Sequence, residues 1–237
     1  AVNTALLGIA AGLTMKYSRL HLINLTMGSF LHDLGMTKIS ESILYKKEKL
    51  TETELNLLKK HPFYGYQLVR RSNAFSDDVA LIVLQHHERL DGSGYPYGFK
   101  GKQISEYARL TAICDTYQAM CQEREYREAK SPPRIIKTLL EEGIGKLDNN
   151  MLKIFAYTVG VYPVGTWVKI NDDSIGEVMI QNIKALTKPV VKLFLDKKGH
   201  VLSPPKILNL YKEKEFQVIR VLDNEEKKQT LRRLGRM

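Results

Sequence analysis

Histidine is scarce in this 237-residue chain, with six in all. Four of them lie beside other polar groups able to bind a metal or a phosphate: His32-Asp33, His61-Pro62, and His86-His87-Glu88 leading into Asp91-Gly92-Ser93-Gly94-Tyr95-Pro96. Asp115 joins them as a lone acid in an apolar helical pattern, where an unpartnered carboxylate would be costly. Imidazole and carboxylate together suit a borderline divalent transition metal. Five or more such donors exceed what one ion with an open coordination position needs, so two neighbouring ions are the natural reading.

Those donors must be brought together by helices. Adjacent helical residues point about 100° apart, so His32 and Asp33 cannot share one flat face, yet both can reach ions lodged between helices at a helix end. His86-His87 repeats that geometry, while His61 and Asp115 would enter from two further segments, as in bundles with dimetal sites in their interiors. Residues 1–158 read as consecutive helices, from apolar residues at three- and four-residue spacing. Thr51-x-x-Glu54 is a capping box, Ser76 precedes the acidic turn Asp77-Asp78, and Ser131-Pro132 opens another helix. The stretch Arg109–Met120 sets Leu110, Cys114 and Tyr117 on an apolar side, with Asp115 as the exception. Past Tyr162-Pro163-Val164-Gly165 the pattern becomes β-rich, with strands expected at Trp167–Ile170, Glu177–Ile180, Val190–Leu195 and Phe216–Val221. The expected organisation is mainly α: a helical domain over 1–158 and a small β-rich domain with a basic tail over 159–237.

Composition sets the bounds. A hydrophobic content of 43% supports a folded core. The longest apolar run, Ala5–Met15, is too short to cross a bilayer and lacks a signal peptide's basic flank; it reads as a buried helix. The chain opens in mid-pattern and without Met, which points to a longer polypeptide. Cys114 and Cys121, seven apart on a helix, are out of disulfide reach and read as small core residues, in keeping with a reducing cytoplasm. The net charge of +10 would attract anions, but its runs, Lys46-Lys47, Lys197-Lys198 and the tail from Lys227, read as solvated faces. No zinc finger, basic zipper or RNA-recognition pattern supports nucleic-acid binding. His21 and His200 read as a polar helix residue and a surface residue.

The ordered series from His86 to Pro96, HHERLDGSGYP, followed by Gly98, Lys100-Gly101, Ile104 and RLTAICDTYQAM, resembles the HD-GYP domain, the bacterial branch of the HD phosphohydrolases that degrades cyclic di-GMP. The resemblance covers roughly residues 1–158 and implies an HD-type multi-helix bundle; the β-rich tail resembles an extension often attached to it. It implies that His32, Asp33 and Asp115 ligate one ion, that Asp33, His61, His86 and His87 ligate a second, and that Asp33 bridges them. The ions it implies are two divalent transition metals, iron or manganese. The implied reaction is hydrolysis of cyclic di-GMP to linear pGpG and then GMP by a hydroxide held between the cations. Tyr95, Arg124 and Arg127 match positions that contact substrate, although for the two arginines solvated charge in a polar loop is the plain alternative. The Gly92–Pro96 loop is a tight connection between helices that, by resemblance, can also engage diguanylate cyclase domains.

Three departures bear on activity. Met36 follows Gly35 where the family has Lys, removing a cation expected at the phosphate, and Lys38 would point elsewhere. The family's first ligand His would fall at or just before Ala1. Gln118 replaces an acid after the tyrosine of the Asp115 helix. The retained ligands and Tyr95 nevertheless favour an active metal-dependent phosphodiesterase, although Met36 argues against full activity. The alternative is a weakened signalling module that binds metal and cyclic di-GMP, and a third option is hydrolysis of another phosphodiester or nucleotide, since fold does not fix substrate.

Overall fold

The computed structural model describes residues 1–121, 132–182 and 185–235. They form two compact units, the first running to Thr158 apart from the turn that opens at Pro132, the second from Val159 onward. The first unit is built from α1 (Val2–Thr14), α2 (Arg19–Leu31), a 3-10 turn (Leu34–Lys38), α3 (Glu41–Leu44), α4 (Glu52–Leu58), α5 (His61–Ser72) and α6 (Asp77–Gln85). A second 3-10 turn (Gly101–Gln103), α7 (Glu106–Cys121), α8 (Pro132–Glu142) and α9 (Asn149–Val159) complete it. The caps are where the residue types demand them. Thr51 and Glu54 make the reciprocal capping box of α4, and the Ser76 hydroxyl accepts from Val79 N at the start of α6. Each such cap stabilises its helix by about 1 kcal/mol. Ser131, the cap expected for α8, lies outside the described residues.

Glycines set how closely these helices approach. A Cβ on Gly28 of α2 would sit 2.4 Å from Ile82 Cδ1 of α6, and Ile82 is fully buried. A Cβ on Gly35, in the first 3-10 turn, would sit 1.9 Å from the His61 carbonyl oxygen of α5. Only the absence of a side chain lets α2 pack on α6 and the 3-10 turn on α5. Around them Leu25, Ile82, Leu110, Ile113, Leu152 and Phe155 form a core with almost no exposed surface.

The apolar run read as a buried helix is buried on one face only. α1 buries Thr4, Ala5, Gly8, Ala11 and Gly12, while Val2, Leu6 and Leu13 are exposed. The small residues make the packed face because they admit α2: Gly12 lies under Leu22 and Gly8 under Leu25. Among the described residues no helix is long and apolar enough to cross a membrane.

The second unit is a five-stranded antiparallel sheet, β1 (Trp167–Ile170), β2 (Ile175–Ile180), β3 (Val190–Leu195), β4 (Val201–Asn209) and β5 (Val218–Val221), in the order β4-β3-β2-β1-β5. Alternation sends Val168, Ile170, Val178, Val191 and Leu208 into one cluster. Trp167 and Phe194 stack on another face, ring centres 5.2 Å apart, with Leu222, Leu231 and Leu234. Two elements differ from the sequence reading. β4 carries Pro204 and Pro205, which mask its pattern but are tolerated because it is an edge strand. The basic tail is not merely solvated: Asp223 and Glu226 form a capping box that opens α10 (Asn224–Arg233), whose end packs Leu231 and Leu234 against the sheet.

Gly28→Ala forces a methyl against Ile82 and is expected to destabilise the first unit by about 1–3 kcal/mol, the usual cost of overpacking. Urea unfolding of the variant against the parent measures it.

Candidate metal centre

The HD and HH pairs fall at helix ends. His32 is the residue after α2, Asp33 precedes the 3-10 turn, His61 opens α5, and His86 follows α6 with His87 next to it. The last four carbonyls of a helix lack partners within it. Three histidines use this in the same way. His32 Nδ1 lies 2.7 Å from Ser29 O, His61 Nδ1 2.9 Å from Leu58 O at the end of α4, and His86 Nδ1 2.9 Å from Val83 O. A carbonyl oxygen can only accept, so each Nδ1 carries the proton and donates it. In a neutral ring Nε2 is then a bare lone pair.

These lone pairs converge. His61 Nε2 and His86 Nε2 are 3.3 Å apart, and Asp33 Oδ1 lies 3.4 Å from the first and 3.9 Å from the second. Ligand atoms of Asp33, His61, His86 and His87 all lie within 4.8 Å of one another. Two lone pairs facing each other beside a carboxylate repel unless a positive charge sits between them. The spacing suits one: donors about 2.1 Å from a common ion and at right angles lie about 3.0 Å apart. On the other side of Asp33, His32 Nε2 is 3.1 Å from Asp33 Oδ2 and 3.3 Å from Asp115 Oδ1. That nitrogen is buried and makes no hydrogen bond of acceptable geometry. Buried polar atoms are seldom left so, and a cation between imidazole and carboxylates would satisfy it. Asp33 thus faces both clusters, one through each oxygen.

The electrostatics agree. Burial opposes charge on His32, but Asp115 and Asp33 outweigh it and lift the imidazole to about 9. Burial also opposes charge on Asp33, yet the His32, His61 and His86 imidazoles beside it hold its carboxyl far below the usual range. His86 is pushed well down by burial and the neighbouring imidazoles, and His87 to about 3 by burial and His61.

A wall is built beside the cluster from the loop after His87. The Tyr95 ring centre is 4.6 Å from that of His87 and 6.3 Å from that of His61. The loop is anchored by Glu88, 2% exposed, whose two carboxylate oxygens accept from Tyr97 N at 2.8 Å and Phe99 N at 3.1 Å. Gly94 passes so close to this strand of chain that a Cβ would sit 2.5 Å from His87 O. The sequence marks Glu88 only as a polar neighbour of two histidines. Lys59 also stands at the site, its ammonium 5.8 Å from the centre of the Tyr95 ring. Nothing in spacing marks Lys59, since it reaches the site only because α4 ends beside α5. Arg124 and Arg127 lie outside the described residues. Met36 sits in the 3-10 turn with an exposed Lys38 two residues on.

A family model described as HD domain matches residues 4–151, well over half of the chain. The chain belongs to the HD domain family. Its Gly94-Tyr95-Pro96 loop and its relatives place it in the HD-GYP branch. A second model, described as KOW domain associated with HD domain, matches residues 167–230, the β-rich unit of this HD-GYP chain. It is similar to Cyclic di-GMP phosphodiesterase PA4108 of Pseudomonas aeruginosa, 34% identical over 78% of this chain and 44% of that protein. It is also similar to 3'3'-cGAMP-specific phosphodiesterase 2 of Vibrio cholerae, 37% identical over 47% of this chain and 22% of that protein. The chain spans less than half the length of such curated relatives. Among solved structures, Bd1817, an HDG"Y"P protein from Bdellovibrio bacteriovorus, shares the fold with a TM-score of 0.55 at 24% identity, over 67% of this chain and 50% of that one.

In the metal-free protein His32 holds a proton up to about pH 9, where a cation would need the neutral ring. Apparent affinity for Mn²⁺ at the cluster of His32, Asp33 and Asp115 is therefore expected to rise about tenfold per pH unit between pH 6 and 8, the ion there displacing that proton; a competitive chelator titration at several pH values checks the slope. Glu88→Gln offers one acceptor to two N–H groups and is expected to cost about 1–3 kcal/mol in urea unfolding.

Proposed function

We propose that the chain is a metal-dependent phosphodiesterase that opens cyclic di-GMP to pGpG. The observation carrying this reading is the convergence of His32, His61 and His86 Nε2 atoms on Asp33, each imidazole held in the metal-binding tautomer by a helix-end carbonyl. His32, Asp33 and Asp115 would hold one ion and Asp33, His61, His86 and His87 a second, with iron or manganese the metals that suit oxygen and imidazole without thiolate. When bound, such cations acidify a water and neutralise charge growing on phosphate oxygens.

The chain's own residues do the rest. Asp33, with one oxygen toward each cluster, would be shared by the two ions. The Nδ1–H bonds lock the rings so that no reorientation is needed when substrate arrives. Tyr95, rigidified by the Glu88 anchor, walls the entrance beside His61 and His87, and its hydroxyl stays protonated because burial raises it. Lys59 over that ring is a cation able to meet a phosphate. The relatives named for cyclic di-GMP and 3'3'-cGAMP hydrolysis support a cyclic dinucleotide as the substrate class.

Met36 favours a second reading, a module that binds ions and cyclic di-GMP with slow turnover, because thioether can neither donate a proton nor carry charge to a leaving oxygen. One assay separates the two. Manganese- or iron-loaded protein is supplied with cyclic di-GMP, and binding and release of pGpG are both followed; turnover supports the enzyme, binding alone the module. Asp33→Ala is expected to lose both ions, and elemental analysis finding the full complement would remove the bridge. Met36→Lys is expected to raise kcat several-fold, measured at matched metal content.

A further inference from the structure

The residues that follow the metal ligands in sequence build the wall of a cavity of about 210 Å³. Arg89 comes two and three residues after His87 and His86, and Thr116 directly after Asp115. Met120, Leu139 and Leu147 supply its apolar surface, Glu142 a carboxylate and Lys146 a second cation. The cavity is too small for a whole cyclic dinucleotide and large enough for one planar base. Its inner cation is fixed. Arg89 donates to the His86 and Glu88 carbonyls at 3.3 and 2.9 Å and lies 3.5 Å from the Thr116 hydroxyl, all neutral partners that occupy three of its five N–H groups. Leu139 and Leu147 are buried, whereas Glu142 is exposed at the rim.

Guanine presents two kinds of edge: O6 and N7 accept, while N1–H and the N2 amino group donate. A guanidinium on one side of a slot and a carboxylate on another match these, and leucine and methionine surfaces suit the ring faces. Adenine presents an amino group where guanine has O6, and at its N1 an acceptor where guanine has a donor. It would set donor against donor at Arg89 and lone pair against carboxylate at Glu142. We infer that this cavity beside the metal centre is the base subsite of the enzyme, in which Arg89 and Glu142 select guanine over adenine. The inference rests on the cyclic dinucleotide reading above and adds what that reading leaves open, since relatives of comparable identity are named for different bases.

Glu142→Gln replaces two acceptors by one acceptor and one donor, a pairing that fits adenine better than guanine. In manganese-loaded protein the ratio of kcat/KM for cyclic di-GMP to that for cyclic di-AMP is expected to fall about ten- to a hundredfold. Met120→Trp, which fills the cavity, is expected to raise KM for cyclic di-GMP, with circular dichroism and metal content recorded for both variants. An unchanged substrate ratio in Glu142→Gln together with an unchanged KM in Met120→Trp overturns the subsite. Bis(p-nitrophenyl) phosphate, which has no base, reports on the metal centre by itself in the parent protein. Should the parent hydrolyse neither it nor the dinucleotides, the phosphodiesterase reading falls. The subsite is then decided by equilibrium binding: a parent preference for cyclic di-GMP that Glu142→Gln abolishes supports it, and equal preference in both proteins overturns it.

Discussion

Everything in the metal centre depends on one short contact used three times, an imidazole Nδ1–H donated to a carbonyl three residues earlier in the last turn of a helix. It satisfies an orphan carbonyl, fixes the tautomer, and turns the second nitrogen inward. The cost is a set of buried lone pairs facing one another, which no solvent relieves. A positive charge is the completing piece. The raised imidazole of His32 between two carboxylates is the same demand met by a proton.

That contact works only if helix ends meet, and the glycines decide whether they do. Gly28 admits Ile82 so that the ends of α2 and α6 lie together, and Gly35 lies against the His61 carbonyl so that the first 3-10 turn closes on α5. A single methyl at either place would have to push one helix end away from the other, and with it one histidine from another. Packing and chemistry are therefore one constraint, and the strictness of the site is inherited from the interior rather than from the ligands.

The loop after His87 extends the same economy to the outside of the site. Glu88 is buried next to the candidate ligands yet bonds elsewhere, holding Tyr97 and Phe99 by their backbone N–H groups. Arg89, its neighbour, bonds back onto the carbonyls of the turn and reaches toward α7. Four consecutive residues thus serve three ends: two imidazoles for the candidate ion site, a carboxylate for the loop, a guanidinium for the adjacent cavity. The KOW-type unit is stabilised separately, by a two-faced sheet and the stacked pair of Trp167 and Phe194.

Much of this was legible in the chain. Residue chemistry and local spacing disclose the helices, the capping boxes, the strands Trp167–Ile170 and Val190–Leu195, and the histidines and acids able to bind metal, because those properties depend on near neighbours. Local pattern failed where context overrides it. Prolines hid β4, which an edge position tolerates; a basic tail hid α10; and one exposed face made α1 less buried than its composition implied. The tautomers, the convergence of His61 and His86 within 3.3 Å, the anchoring role of Glu88, the approach of Lys59 to Tyr95 and the cavity beside Arg89 belong to tertiary structure alone. The convergence, the Lys59 approach and the cavity join groups far apart in the chain through the angle and spacing of helices, whereas the tautomers and the Glu88 anchor need the folded turns that set a ring nitrogen or a carboxylate beside a backbone group three to eleven residues away. Sequence therefore determined which donors exist, and packing decided where they point.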